Sequence, residues 1–128
     1  MTPSFIPRVT ATVDLAAVRH NLARVRDYAP GSKVMAAVKA DAYGHGAVPV
    51  GRALQQAGVD ALAVACLEEA LILRDAGVTA PLALLEGVLS VEEAEQASRQ
   101  QLQVVVHDEW QLRLLQRLPA PMPLTLWF

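Results

Sequence analysis

The chain has 128 residues, 53% hydrophobic and 19% charged, a balance that fits one packed globular unit and excludes a disordered segment. Its formal charge of -2 comes from acids and bases mixed along the sequence, without the basic block that a nucleic acid or an anionic membrane surface would need, so neither partner is expected. The single Cys66 excludes an internal disulfide and a cysteine-rich metal site; with no signal-peptide pattern at MTPSFIPRV and no apolar run long enough to span a bilayer, the expected location is the cytoplasm.

Asp14 and the stripe Leu15, Val18, Leu22 and Val25 predict an amphipathic helix over 14–29, capped by the aspartate and stopped by Pro30 and Gly31. A short apolar run at 34–38 reads as the first strand. A helical pattern at 47–57 closes on Gly58, a run at 61–65 reads as the second strand, and a helix over 67–76 closes on Gly77. The third strand is expected at 82–85 and a helix at 90–98, where Ser90 and Glu93 have capping-box spacing. The fourth strand follows at 103–106, then a helix over 108–118 with the same spacing in Asp108 and Gln111 and a stop at Pro119. A last run occupies 124–128. The final four runs start at 61, 82, 103 and 124, an interval of 21 residues each time.

Apolar runs that alternate with helices read as strands buried on both faces of a parallel α/β sheet with right-handed crossovers. Two architectures fit: a partial (β/α)8 barrel with about five of its strands, or a doubly wound five-stranded sheet. A doubly wound domain would normally finish with a helix over its last strand, whereas this sequence stops inside LTLWF, so the barrel is the expectation.

The segment AAVKADAYGHG, residues 36–46, carries the chemistry. Lys39 falls at the C-terminal end of the first strand, where both parallel architectures place their active sites. Ala36, Ala37, Ala40, Ala42, Gly44 and Gly46 leave room for a bulky ligand near the backbone. An amine partly shielded from water there is suited to attack an aldehyde carbon, and the phenol of Tyr43 can donate a hydrogen bond to a phosphate oxygen. Residue type and spacing alone leave the ordinary reading open, with Lys39 a solvated rim residue and Tyr43 packing in a glycine-bearing loop.

The undecapeptide closely resembles the cofactor-lysine segment of alanine racemases, and TVDLAAVRHNL (12–22), CLEEALILRDAG (66–77) and PLALLEG (81–87) are similar to other parts of the same family. The resemblance implies pyridoxal 5'-phosphate (PLP) held as a Schiff base on Lys39, with Lys39 also the base on one face of the substrate. It further implies Tyr43 on the cofactor phosphate, Leu85 packed near the ring, no metal, alanine as substrate, and a homodimer whose partner subunit supplies a second catalytic tyrosine. On that basis residues 1–128 are the N-terminal portion of the PLP-binding barrel, with the rest of the barrel, a C-terminal β domain and the remaining site groups expected beyond Phe128. A broad-specificity amino-acid racemase and a non-catalytic PLP-binding homeostasis protein are the alternatives.

Other residues have simpler readings. His45 is expected to bond to backbone, His107 to sit near a helix start, Glu86 on the rim, and Cys66 in the core; Glu68 and Glu69 are carboxylates suited to a helix dipole. Lys33 is the nearest rival to Lys39.

Overall fold

Five parallel strands lie side by side in the order of the sequence: β1 (Met35–Ala37), β2 (Ala61–Val64), β3 (Leu82–Leu84), β4 (Gln103–Val105) and β5 (Thr125–Trp127). The computed structural model describes residues 8–119 and 121–128. Helices α1 (Leu15–Tyr28), α3 (Ala47–Gln56), α4 (Leu67–Asp75), α5 (Val91–Arg99) and α6 (Glu109–Leu115) alternate with the strands, and a six-residue turn, α2 (Lys39–Gly44), follows β1. A doubly wound sheet reverses its strand order at a switch point. Here each strand neighbours its successor, so right-handed crossovers place the helices on one face and the sheet is that of a partial (β/α)8 barrel.

Alternation along the strands sorts residues between two faces. Leu62, Leu82, Leu84 and Val104 are buried with Leu54, Leu67, Leu73, Val78 and Ala97 in one helix-facing core, each large aliphatic side chain contributing about 1.5–3 kcal/mol through burial. On the other face the register lines up Ala37, Ala63, Ala83, Gln103 and Thr125. In this row three neighbouring strands present side chains that end at Cβ, and the larger Gln103 that follows on β4 accepts the indole N–H of Trp127 on β5 at 2.8 Å.

The 21-residue interval holds to within one residue, since β5 starts at Thr125. Burial on both faces, however, describes only β2 and β3, since Gln103 and Val105 on the inner strand β4 are half-buried. All residues of β2 and β3 are buried, but Met35 on β1 and Trp127 on β5 are 39% and 48% exposed, because each of these edge strands has a single neighbour. In α1, Asp14 caps as expected, its carboxylate accepting the N–H groups of Ala16 and Ala17; of the expected stripe Leu22 is buried and Leu15 and Val18 pack half-buried against the core, while Val25 stays 47% exposed.

The third residue of three helices reaches back into the preceding loop. In α5 the Ser90 hydroxyl accepts the Glu93 N–H, but the Glu93 carboxylate accepts from Leu89 rather than from the capping residue. In α6 the buried Gln111 oxygen accepts the N–H groups of His107 and Asp108, and its amide donates to the Glu86 carbonyl at the end of β3. In α4, Glu69 does the same for Ala65. At the opposite end of the sheet the Gln55 oxygen accepts the N–H groups of Thr79 and Ala80, and Asp60 accepts the N–H of Val34 beside Arg26.

Candidate active site

The β1 ladder runs on through Val38, whose N–H donates to the Ala63 carbonyl at 2.8 Å. The chain then leaves the sheet at Lys39 and turns with the wrong hand. Ala40, Asp41, Ala42 and Tyr43 all have φ between 51° and 55°, a left-handed conformation that costs non-glycine residues roughly 1–2 kcal/mol each. The sequence reading placed a glycine-bearing loop here, yet these four strained positions carry side chains.

Tertiary hydrogen bonds hold the turn. The Ala42 N–H donates to the Val38 carbonyl at 2.9 Å and the Ala40 N–H to the Glu69 carboxylate at 2.7 Å. Asp41 closes the far end, its carboxylate accepting the Ala47 N–H at the start of α3 and its carbonyl the Gly46 N–H. Ala42 is buried beneath. Gly46 completes the exit at φ 91°, and a Cβ there would stand 2.9 Å from Pro49 Cγ.

Lys39 is half-buried, one residue past the strand, next to the fully buried Val38. Tyr43 ends the left-handed run and is 60% exposed. Leu85 is half-buried and follows β3 directly, its N–H donating to the Val64 carbonyl. Since β2 separates β1 from β3, Lys39 and Leu85 stand at the same end of the sheet with about 10 Å of sheet width between them. Lys33 lies before β1, at the opposite end, roughly 20 Å away along an extended chain.

His45, His107 and Glu86 take their simpler roles. His45 Nδ1 lies 3.0 Å from the Ala42 carbonyl oxygen and 3.1 Å from that of Tyr43, bracing the turn from within. His107 is exposed and held through its own N–H, and Glu86 lies on the surface with its carbonyl bound to Gln111. Cys66, expected in the core, instead stands half-buried at the capping position before α4, because the chain leaves β2 there to start the helix, and burial pushes its thiol pKa up, away from a reactive thiolate. Sequence reasoning missed the reach of Glu69, whose two carboxylate oxygens accept from Ala40 and Ala65, each at 2.7 Å. A glutamate at the third position of a helix after a non-capping cysteine was the available signal, because such a carboxylate has no side-chain box to complete.

A half-buried amine at a strand end, a phenol four residues on, and the Ala37, Ala63 and Ala83 row below fit a planar aromatic aldehyde with a phosphate arm. An amine can supply a covalent anchor to such a group and a phenol can donate to a phosphate, while side chains that end at Cβ leave space for a ring.

The family model described as alanine racemase, N-terminal domain, matches residues 13–128. The alanine racemase of Xylella fastidiosa (strain Temecula1) is 50% identical over 117 residues, covering 91% of this chain and 32% of the relative. The catabolic alanine racemase of Pseudomonas putida is 47% identical with the same coverage. Among solved structures, the biosynthetic alanine racemase from Pseudomonas aeruginosa superposes with a TM-score of 0.84 at 40% identity, over 91% of this chain and 32% of that one. The alanine racemase from Bacillus anthracis with bound L-Ala-P gives a TM-score of 0.79 at 33% identity, over 89% of this chain and 30% of that one. This chain spans about a third of the length of these relatives. With its sheet order, its strand-end lysine and a match over nearly every residue in agreement, the chain belongs to the alanine racemase N-terminal domain family.

Proposed function

We propose that this chain is the lysine-bearing part of a PLP-dependent alanine racemase, interconverting L- and D-alanine, with residues 1–128 forming the N-terminal portion of its barrel. The observation that carries the reading is the family match across the turn that sets Lys39 at the mouth of the sheet. Lys39 binds the cofactor covalently through its amine, Tyr43 donates its hydroxyl to the phosphate, and Leu85 packs beside the ring from β3. When bound, the cofactor supplies an electron sink that makes the substrate's α proton acidic. The Lys39 amine, freed when substrate takes its place, then moves that proton on one face. The opposite face needs a second base, which the reading assigns to a tyrosine of a partner subunit in a homodimer. A cytoplasmic enzyme supplying D-alanine for peptidoglycan, or consuming alanine catabolically, fits this chemistry. Among the described residues no helix is long and apolar enough to cross a membrane.

Borohydride reduction of the complete protein loaded with PLP, followed by peptide mapping, is expected to place the phosphopyridoxyl group on Lys39. Before reduction, the same PLP-loaded protein is expected to racemise alanine in either direction. A label on Lys33 would overturn the site, and a protein labelled on Lys39 whose unreduced, PLP-loaded form does not racemise alanine would favour a PLP-binding homeostasis role.

A further inference from the structure

Glu69 links the first two strand ends by a single side chain. One carboxylate oxygen accepts the Ala40 N–H and the other the Ala65 N–H, each at 2.7 Å. The Ala40 N–H belongs to the rigid peptide plane that follows Lys39, so anchoring it fixes the rotation about the Lys39 Cα–C bond. The same bond meets the left-handed run at its first residue, Ala40, where φ is 51°. Both hydrogen bonds are charge-assisted and short, and the second fixes the carboxylate to the end of β2.

We propose that Glu69 is the positioning residue of this site: its carboxylate holds the Lys39–Ala40 peptide against β2 and so sets the direction of the Lys39 amine and the place of Tyr43. The inference rests on Lys39 as the cofactor lysine. Without the carboxylate, the left-handed turn loses the one bond given to its first N–H and relaxes toward conformations that alanine and aspartate prefer. A lysine displaced by about 1 Å is a poorer anchor even with its chemistry intact. Gln55 provides an internal control, since it also accepts two backbone N–H groups, those of Thr79 and Ala80, but at the far end of the sheet.

The test uses the complete protein carrying Glu69→Gln, Glu69→Ala or Gln55→Ala. Glutamine keeps the shape but has one acceptor oxygen and turns an N–H donor toward the other amide, so Glu69→Gln remains informative where Glu69→Ala fails to fold. Without cofactor, amide hydrogen exchange over residues 36–46 is expected to accelerate about tenfold or more in Glu69→Gln and to stay at the parental rate in Gln55→Ala. With cofactor, PLP release is expected to accelerate about tenfold in Glu69→Gln only. Parental exchange over 36–46 in Glu69→Gln would overturn the proposal whatever the cofactor does, and so would equal acceleration of PLP release by Gln55→Ala. A reduced label on a lysine other than Lys39 in the parent would refute the functional reading instead, leaving the exchange experiment to decide whether Glu69 sets the turn.

Discussion

Replacing Ala40 by glycine is expected to leave stability unchanged or raise it, against the usual direction for that substitution. Ala40 is exposed at φ 51° and ψ 51°, so the change removes little packing and relieves a conformation costing roughly 1–2 kcal/mol. Glycine also frees the unfolded chain, which takes back about 0.4–1 kcal/mol. The net lies between about zero and +1.5 kcal/mol of stabilisation. Ala23→Gly is the matched control, an exposed position in the middle of the right-handed α1, where the same change loses about 0.5–1 kcal/mol. Urea unfolding of the complete protein, read as shifts in midpoint at constant slope, is expected to separate the two variants by roughly 0.5–2.5 kcal/mol with Ala40→Gly the more stable. Equal destabilisation by both would mean that Ala40 is not left-handed, and the account of the turn would fall.

Tyr43→Phe keeps the ring and removes the donor, so PLP retention through dialysis is expected to fall by the equivalent of about 1.5–3 kcal/mol; parental retention would remove Tyr43 from the phosphate site. The Val34 N–H and then the Arg26 guanidinium hold the Asp60 carboxyl below the usual carboxylate range. Its stabilisation is therefore present above that range and lost as pH falls through the folded value. In urea titrations at a series of pH values, Asp60→Asn is expected to be less stable than the parent near neutrality, with the gap beginning to close below about pH 4 and vanishing only beneath the lower folded value, and a gap that widens in acid would contradict the assignment. Gly87→Ala is expected to lose about 2–5 kcal/mol, because the position has φ 77° and a Cβ there would lie 2.5 Å from the Val105 carbonyl oxygen; a parental melting temperature would refute that contact.

The sheet was legible because its signals are local and repeated: apolar runs at a constant interval, Asp14 before the first helix, and Asp108 with Gln111 at the last. The site was half legible. Lys39 could be placed at a strand end because the strand pattern stops there, and Tyr43 could be counted from it. The hand of the turn between them could not, since Ala40, Asp41, Ala42 and Tyr43 lack the glycine that marks positive φ and owe their conformation to Asp41, Glu69 and buried packing. Glu69 escaped for the same reason, its acidic position suiting an ordinary helix start while its partner lies in another unit. The partial burial of β1 and β5 depends on neighbours that an apolar run does not specify.

The bond from Glu69 to Ala40 spans 29 positions, and its acceptor comes later in the chain than its donor. During synthesis from the N-terminus the lysine segment is therefore made well before the group that shapes it. Until β2 has paired and α4 has begun to wind, the 36–46 segment lacks that support against its left-handed cost. If Lys39 holds the cofactor as proposed, competence to capture an aldehyde in the folded geometry has a birth order: it arises with the second repeat of the fold, and a nascent chain released before Glu69 would display the lysine without the anchor.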